Sequence, residues 1–303
     1  MIDSLGMFDA AYALPEQCAA ARDATLQVEG LPPAEGISSV VVLGMGGSGI
    51  AGDVLASVAL DRCPVPITVS KQYECPEFVG PDTLVLAVSF SGHTEETIDA
   101  VHHAVGAGAR LVALSAGGHL ARIADEWGAP VVPLDPGIPM PRAAIGAMSV
   151  PLLLVLEQLG LLDGAAAEVD AMIAHLSRRR DELGADRNPA RVLAERIGRT
   201  LPIVYGGGAL GEAAAWRWKG QFNENPKVAA FANRIPELTH NEICEEIVAG
   251  VHSVEAKGDT RLSQLFDLIL VGDLVTLHMA AIEGLDPGPV PILDEIKARL
   301  RQS

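Results

Sequence analysis

Two stretches of this chain combine glycine with hydroxyl side chains in a pattern suited to holding an anion. Gly44-Met45-Gly46-Gly47-Ser48-Gly49 follows the apolar run 40–43 and precedes a helix-compatible segment, 50–60. Ser89-Phe90-Ser91-Gly92-His93-Thr94 follows the apolar run 83–88 and precedes another helix-compatible segment, 95–107. Glycines let backbone N–H groups approach a ligand closely, and a helix N-terminus favours negative charge. The hydroxyls of Ser48, Ser89, Ser91 and Thr94 could then hold a phosphate monoester without any cation. The first loop alone also fits the spacing of a dinucleotide site. That reading wants an acidic residue at the end of the next strand, where Lys71 and Gln72 stand instead. No Gly-Lys-Ser/Thr follows, so it is not a Walker loop. Serine and threonine are also ordinary helix caps. Two strand ends with the same loop chemistry point rather to one shared crevice.

Three further residues could act on a ligand held there. Arg142, in Pro139-Met140-Pro141-Arg142, is either a surface cation or a guanidinium held rigidly toward developing negative charge. Glu224 lies in Asn223-Glu224-Asn225-Pro226-Lys227, where Pro226 disfavours helix at Asn225 and so places Glu224 at a helix end. His240, in Thr239-His240-Asn241-Glu242, taken alone is more readily structural or solvated than catalytic.

The elements that must position these groups follow from the period of the apolar residues. Runs at 40–43, 67–70, 83–88, 110–114 and 131–134 alternate with helical patterns, the signature of a doubly wound parallel sheet. After a long apolar helix around 149–162 and a charged segment, the pattern restarts with a strand at 201–205, Gly206-Gly207-Gly208 and a helix over 210–222. This predicts two α/β halves, 1–162 and 163–303, divided where Asp163 and Gly164 interrupt two helical patterns.

Composition narrows the partners. The chain has 303 residues, 49% hydrophobic, with a formal net charge of −17, which excludes disorder and disfavours polyanions such as nucleic acid or an anionic membrane surface. The apolar stretches 143–162 and 265–285 carry Pro151 and Glu157, and Asp267, Asp273 and His278, so they read as buried helices rather than membrane spans. Residues 1–10 show no basic start followed by an apolar run, which predicts a cytoplasmic protein. Cys18, Cys63, Cys75 and Cys244 lack paired Cys-x-x-Cys spacing and read as small hydrophobes rather than as metal ligands or a disulfide framework.

Taken in order, Gly-Met-Gly-Gly-Ser-Gly-Ile-Ala-Gly-Asp at 44–53, Ser-x-Ser-Gly-x-Thr-x-Glu-Thr at 89–97, Pro-Arg-Ala-Ala at 141–144, Asn-Glu-Asn-x-Lys at 223–227 and His-Asn-Glu at 240–242 resemble the bifunctional phosphoglucose/phosphomannose isomerase family. The resemblance runs through the whole chain to the closing Asp286-Pro287 and 292–297 segment. It implies two sugar-isomerase (SIS) domains of flavodoxin-like, doubly wound type in tandem. It also implies an aldose–ketose isomerase that converts glucose 6-phosphate and/or mannose 6-phosphate to fructose 6-phosphate through a cis-enediol, without metal or cofactor. By the same resemblance Ser48, Ser89, Ser91 and Thr94, with the Gly46 and Gly47 backbone, hold the phosphate. Glu224 is then the base that moves the proton, and Arg142 stabilises the charge on the intermediate. His240, donated across a homodimer interface, assists ring opening, and Lys297 lies near the ring or C1 oxygen. A non-catalytic SIS protein that binds a sugar phosphate as a regulator or partner is the alternative; it would share the loops but have no use for Glu224, Arg142, His240 and Lys297 together.

Three departures from the family stand out. His93 replaces a common asparagine, and Gly288 stands where many relatives show threonine, which bears on tolerance of the mannose epimer. The stretch 244–257 is shorter than the family leads one to expect, so a strand or its connection has been trimmed between His240 and Lys297.

Overall fold

The structure, a computed structural model, describes residues 2–242 and 250–291. Helices α1 (Met7–Tyr12) and α2 (Leu14–Leu26) lead into β1 (Ser39–Leu43), α3 (Gly46–Ala59), β2 (Ile67–Ser70), β3 (Thr83–Val88), α4 (Glu95–Gly106), β4 (Arg110–Ser115), α5 (Gly118–Glu126) and β5 (Val131–Pro133). The five strands form one parallel sheet in the order β2-β1-β3-β4-β5. All five expected strands are present. Helix α3 starts earlier than its apolar pattern, inside the glycine cluster, because Gly46 takes a φ of 52° at its first position.

The sheet is buried on both faces, as parallel sheets with crossover helices require. Val40, Val42, Leu84, Leu86, Val112 and Leu114 point into one core, whereas Val41, Leu43, Val85, Ala87, Leu111 and Ala113 point into the other. This period-2 alternation within continuous apolar runs is why no polar face was legible in the strands.

A 3₁₀ turn, Pro141–Ala143, precedes α6 (Ile145–Gln158), which begins four residues before the expected 149 and carries Pro151 inside it. The chain then turns at Gly164 (φ 76°) into α7 (Ala165–Leu183), followed by α8 (Pro189–Ile197), β6 (Ile203–Gly207), α9 (Gly208–Glu224), β7 (Phe231–Ile235), a second 3₁₀ turn (Glu237–His240) and α10 (Arg261–Ile282). Strand β7, Phe-Ala-Asn-Arg-Ile, was not anticipated, because its apolar residues are broken by Asn233 and Arg234. Among the described residues the second half has a parallel sheet of these two strands alone. Its helices join the first half's core: Phe222, Phe266, Leu270 and Leu274 belong to the same buried cluster as Val54, Leu152 and Val155.

Helix α10 is long and apolar enough to cross a membrane, but 78% of its most apolar stretch is buried inside the protein. Its two internal acids are paired: Asp267 with Arg179 (2.7 Å) and Asp273 with Arg217 (2.6 Å). Of the cysteines, Cys18 is buried and Cys63 and Cys75 are half-buried, all three unlinked; Cys244 lies outside the described residues.

Candidate active site

In a sheet of order 2-1-3-4-5 the connections diverge between β1 and β3, and ligands bind outside the carboxyl ends of those strands. Both hydroxyl–glycine loops sit there. The first ends β1 and opens α3; the second ends β3 and opens α4. Neither helix has a side-chain cap; in α3 the Ser48 and Gly49 N–H groups donate to the Met45 carbonyl, and those of Gly46 and Gly47 are left for another acceptor.

The second loop is tightly built. Ser89 is fully buried, and its hydroxyl lies 2.9 Å from that of Thr94, while Ser91 Oγ accepts from the His93 N–H at 3.2 Å. Gly92 (φ 67°) accepts from the N–H groups of His119 and Leu120, and a Cβ on it would lie 1.8 Å from the Gly117 carbonyl oxygen. Replacing Gly92 with alanine is therefore expected to push this loop off its seat and raise KM for the sugar phosphate by at least about tenfold, with far-UV circular dichroism unchanged. Steady-state kinetics on the purified variant check this. In the first loop Ser48 is buried, and its hydroxyl donates to Met148 Sδ at 3.3 Å.

The first loop backs directly onto the arginine. A Cβ on Gly47 would lie 3.0 Å from the Pro141 carbonyl oxygen and 3.3 Å from Arg142 Cα, so glycine there lets α3 and the Pro141–Ala143 turn touch. Arg142 is 4% exposed. Its Nη1 donates to Glu224 Oε2 at 3.2 Å, its Nε to Asn225 Oδ1 at 3.3 Å, and its Nη2 to the carbonyls of Pro287 and Gly288 at 2.6 Å each. A guanidinium has five N–H donors, and among the described residues the second Nη1 proton has no acceptor. Burial pulls the Arg142 pKa down and Arg217 adds to this, while Glu224 and Asp273 oppose it; an arginine keeps its charge through such a shift.

Glu224 is the last residue of α9; Asn225 keeps helical angles (φ −83°, ψ −68°), contrary to the expected effect of Pro226 on it, and the helix stops because Pro226 has no N–H to continue the ladder. Its side chain is 33% exposed, so the carboxylate touches Arg142 on one side and open space on the other. Nearby, Lys227 is the one non-glycine among the described residues with a positive φ, 57°. Its ammonium donates to the Asn225 carbonyl at 3.1 Å and the Asp286 carbonyl at 2.6 Å. Burial, then Arg142, lower its pKa, against Asp286 and Glu224. Arg142 and Lys227 together thus take up three successive carbonyls, 286, 287 and 288.

The structure brings together the two loops, Arg142 and Glu224. His240 is exposed on the 3₁₀ turn after β7, with no hydrogen bond or ion pair to Glu224 or Arg142. Lys297 lies outside the described residues. The sequence reading quoted Asn225 and Lys227 in the 223–227 motif without tying either to Arg142 or to the 286–288 carbonyls, and it did not find the rest of the buried layer behind Arg142: Arg217, Gln221, Asp273 and Thr276. A signal existed, since residues 217, 221 and 225 are spaced to share one face of α9, and an acid at 273 in an apolar helix needs a partner.

Solved structures with this architecture include the C-terminal domain of glucosamine-fructose-6-phosphate aminotransferase from Francisella tularensis (TM-score 0.69, 15% identity, 93% of this chain and 98% of that one). Tagatose-6-phosphate ketose/aldose isomerase from Escherichia coli also shares it (TM-score 0.66, 15% identity, 93% and 94%). At such identity these establish the fold. The family model for the bacterial phospho-glucose isomerase C-terminal SIS domain matches residues 186–246 and 242–300, which makes this an SIS-domain protein of the sugar-isomerase class. Curated relatives specify it further. A bifunctional phosphoglucose/phosphomannose isomerase from Caldicellulosiruptor bescii is 34% identical over 337 residues, covering 98% of this chain and 99% of the relative. One from Thermoplasma acidophilum is 31% identical over 296 residues, covering 87% and 90%. The chain belongs to the bifunctional phosphoglucose/phosphomannose isomerase family and is an aldose–ketose isomerase. A D-glucosamine-6-phosphate 4-epimerase from Sulfolobus acidocaldarius is also 31% identical, but over 214 residues and 70% of this chain.

The 337 aligned positions exceed the 303 residues present, so the first relative carries positions this chain lacks. The two family-matched segments meet at 242–246, directly after the His240 motif. This agrees with the shortening expected there and with a second sheet of two described strands.

Proposed function

We propose that the protein interconverts glucose 6-phosphate and/or mannose 6-phosphate with fructose 6-phosphate through a cis-enediol, without a metal. The observation that carries this is the contact of Arg142 Nη1 with Glu224 Oε2, on an arginine whose backbone abuts the Gly47 loop. It supports a base and a cation at one end of a crevice whose other end suits a phosphate. A sensor protein would need the loops but not that contact.

In this reading the phosphate sits on the Gly46 and Gly47 N–H groups and the hydroxyls of Ser89, Ser91 and Thr94, joined by Ser48 once its hydroxyl turns from Met148. Glu224 takes the proton from C2 of the open-chain aldose. The C–H electrons form the C1–C2 double bond, and the carbonyl pair moves onto O1. Arg142 Nη1, with its second proton unengaged, stabilises that oxygen. Glu224 then returns the proton to C1 while the proton on O2 passes to O1, which leaves the ketone at C2. A carboxylate is a weak base toward carbon, so most of the barrier reduction falls to the guanidinium. A coupled assay of fructose 6-phosphate formation from each aldose phosphate, with and without a chelator, tests this. Turnover undiminished by chelator is expected; no turnover of either sugar would overturn the substrate assignment, and loss with chelator would overturn metal independence.

We further infer a homodimer in which His240 serves the partner's site. Within one chain His240 makes no hydrogen bond or ion pair with Glu224. Ile203, Tyr205, Phe231 and Ile235 are exposed on the β6–β7 sheet whose second strand leads into the His240 turn, and α9 packs against that sheet. Parallel sheets are ordinarily covered on both faces, and a second copy would cover this one. Mixing the inactive variants Glu224→Gln and His240→Ala, then allowing subunits to exchange, should restore roughly a quarter of wild-type activity, because half the dimers regain one intact site. A mixture that stays inactive contradicts donation across the interface. We also assign residues 1–162 and 163–303 as the two SIS units and the cytoplasm as the compartment.

A further inference from the structure

We infer that Asn225 and Thr276 are positioning residues for Arg142, and that the Thr276 hydroxyl fixes which way the Asn225 amide faces. The inference rests on the roles proposed above for Glu224 and Arg142. Behind the arginine, α9 and α10 present a buried polar layer. Arg217 pairs with Asp273 through Nε (3.1 Å) and Nη2 (2.6 Å), and Nη2 also donates to the Arg142 carbonyl at 2.9 Å. Gln221 Nε2 donates to Asp273 Oδ1 at 2.8 Å. This holds the backbone of residue 142.

The side chain is held separately. Thr276 Oγ1 donates its one proton to the Asp273 carbonyl, i−3 on the same helix, at 2.9 Å. That hydroxyl can then only accept, and it accepts from Asn225 Nδ2 at 2.9 Å. With its nitrogen committed, Asn225 must turn Oδ1 to Arg142, where Nε is a donor (3.3 Å). A flipped amide would set N–H against N–H at Arg142 and oxygen against oxygen at Thr276. Asn225 and Thr276 are fully buried, which raises the cost of that mismatch. The guanidinium plane is thereby fixed, and with it the Nη1 edge shared by Glu224 and the developing oxyanion. Neither residue needs to touch substrate for this.

The test compares Thr276→Val with Thr276→Ser. Valine keeps the shape and removes the acceptor, whereas serine keeps the acceptor. In Thr276→Val, kcat is expected to fall roughly tenfold with KM within about twofold of wild type, and Thr276→Ser should recover it. Calorimetry gives a readout independent of turnover. A five-carbon phosphorylated aldonate, whose carboxylate mimics the enediolate, should bind Thr276→Val roughly tenfold more weakly, while fructose 6-phosphate binds both proteins alike. A wild-type enzyme without turnover would count against the proposed reaction, and the two binding constants would still read the positioning role. Equal weakening of both ligands, or loss of thermal stability with kcat and analogue binding unchanged, would overturn it.

Discussion

Glu224→Gln is expected to lose isomerase activity by at least about 10² to 10³-fold while still binding fructose 6-phosphate, because glutamine matches the shape of the carboxylate but cannot accept a carbon-bound proton. The substitution is mild on structural grounds. Arg142 Nη1 would still find an amide oxygen where Glu224 Oε2 now lies at 3.2 Å, and its other donors, to Asn225 and to the carbonyls of Pro287 and Gly288, are untouched. Loss of turnover with retained binding therefore reports chemistry. Near-wild-type turnover would remove the base from the mechanism, whatever the phosphate loops do.

Arg142→Lys should cost a comparable factor, about 10² to 10³ in kcat, although charge is conserved. Four guanidinium protons are already committed to four acceptors, and the fifth lies on Nη1 beside the carboxylate. A lysine has three donors in a cone and cannot reach Asn225, Glu224 and two carbonyls in one plane. It would hold either the 286–288 turn or the intermediate. Kinetic and thermal measurements on the same preparation separate the two effects: a large fall in kcat with a small fall in Tm is expected. A lysine variant with wild-type kcat would show that charge alone suffices.

The first half was legible in the sequence because β1, β3 and β4 are nearly continuous apolar runs that give way to glycine- and serine-bearing loops before a helical period resumes. All five strands and both loops fall where the pattern placed them. Glu224 was legible for a different reason, as Pro226 ends α9 on it. The second half was harder. Strand β7 carries Asn233 and Arg234 within five residues, and burial there is too slight for an apolar period to show. The layer behind Arg142 was not read as a site, despite the spacing of 217, 221 and 225, because each member had an ordinary explanation alone. Asp273 served only to argue against a membrane span, although its ion pair with Arg217 is what places Arg217 on the Arg142 carbonyl. Such networks depend on which helices pack together, and α9 against α10 is set by tertiary contacts rather than by local pattern. Lys227 stood in the quoted 223–227 motif without a role, because a left-handed φ at a lysine has no sequence signal.

The most direct test of Glu224 as the base of a cis-enediol reaction is to incubate fructose 6-phosphate with the enzyme in D2O and follow C1 of the ketose and C2 of the aldose product by NMR. A carboxylate exchanges its proton with solvent between removal and return, so deuterium should accumulate at both carbons over many turnovers of the wild-type protein, and at neither with Glu224→Gln. Aldose that forms without deuterium, or deuterium uptake that persists in Glu224→Gln, would contradict the account.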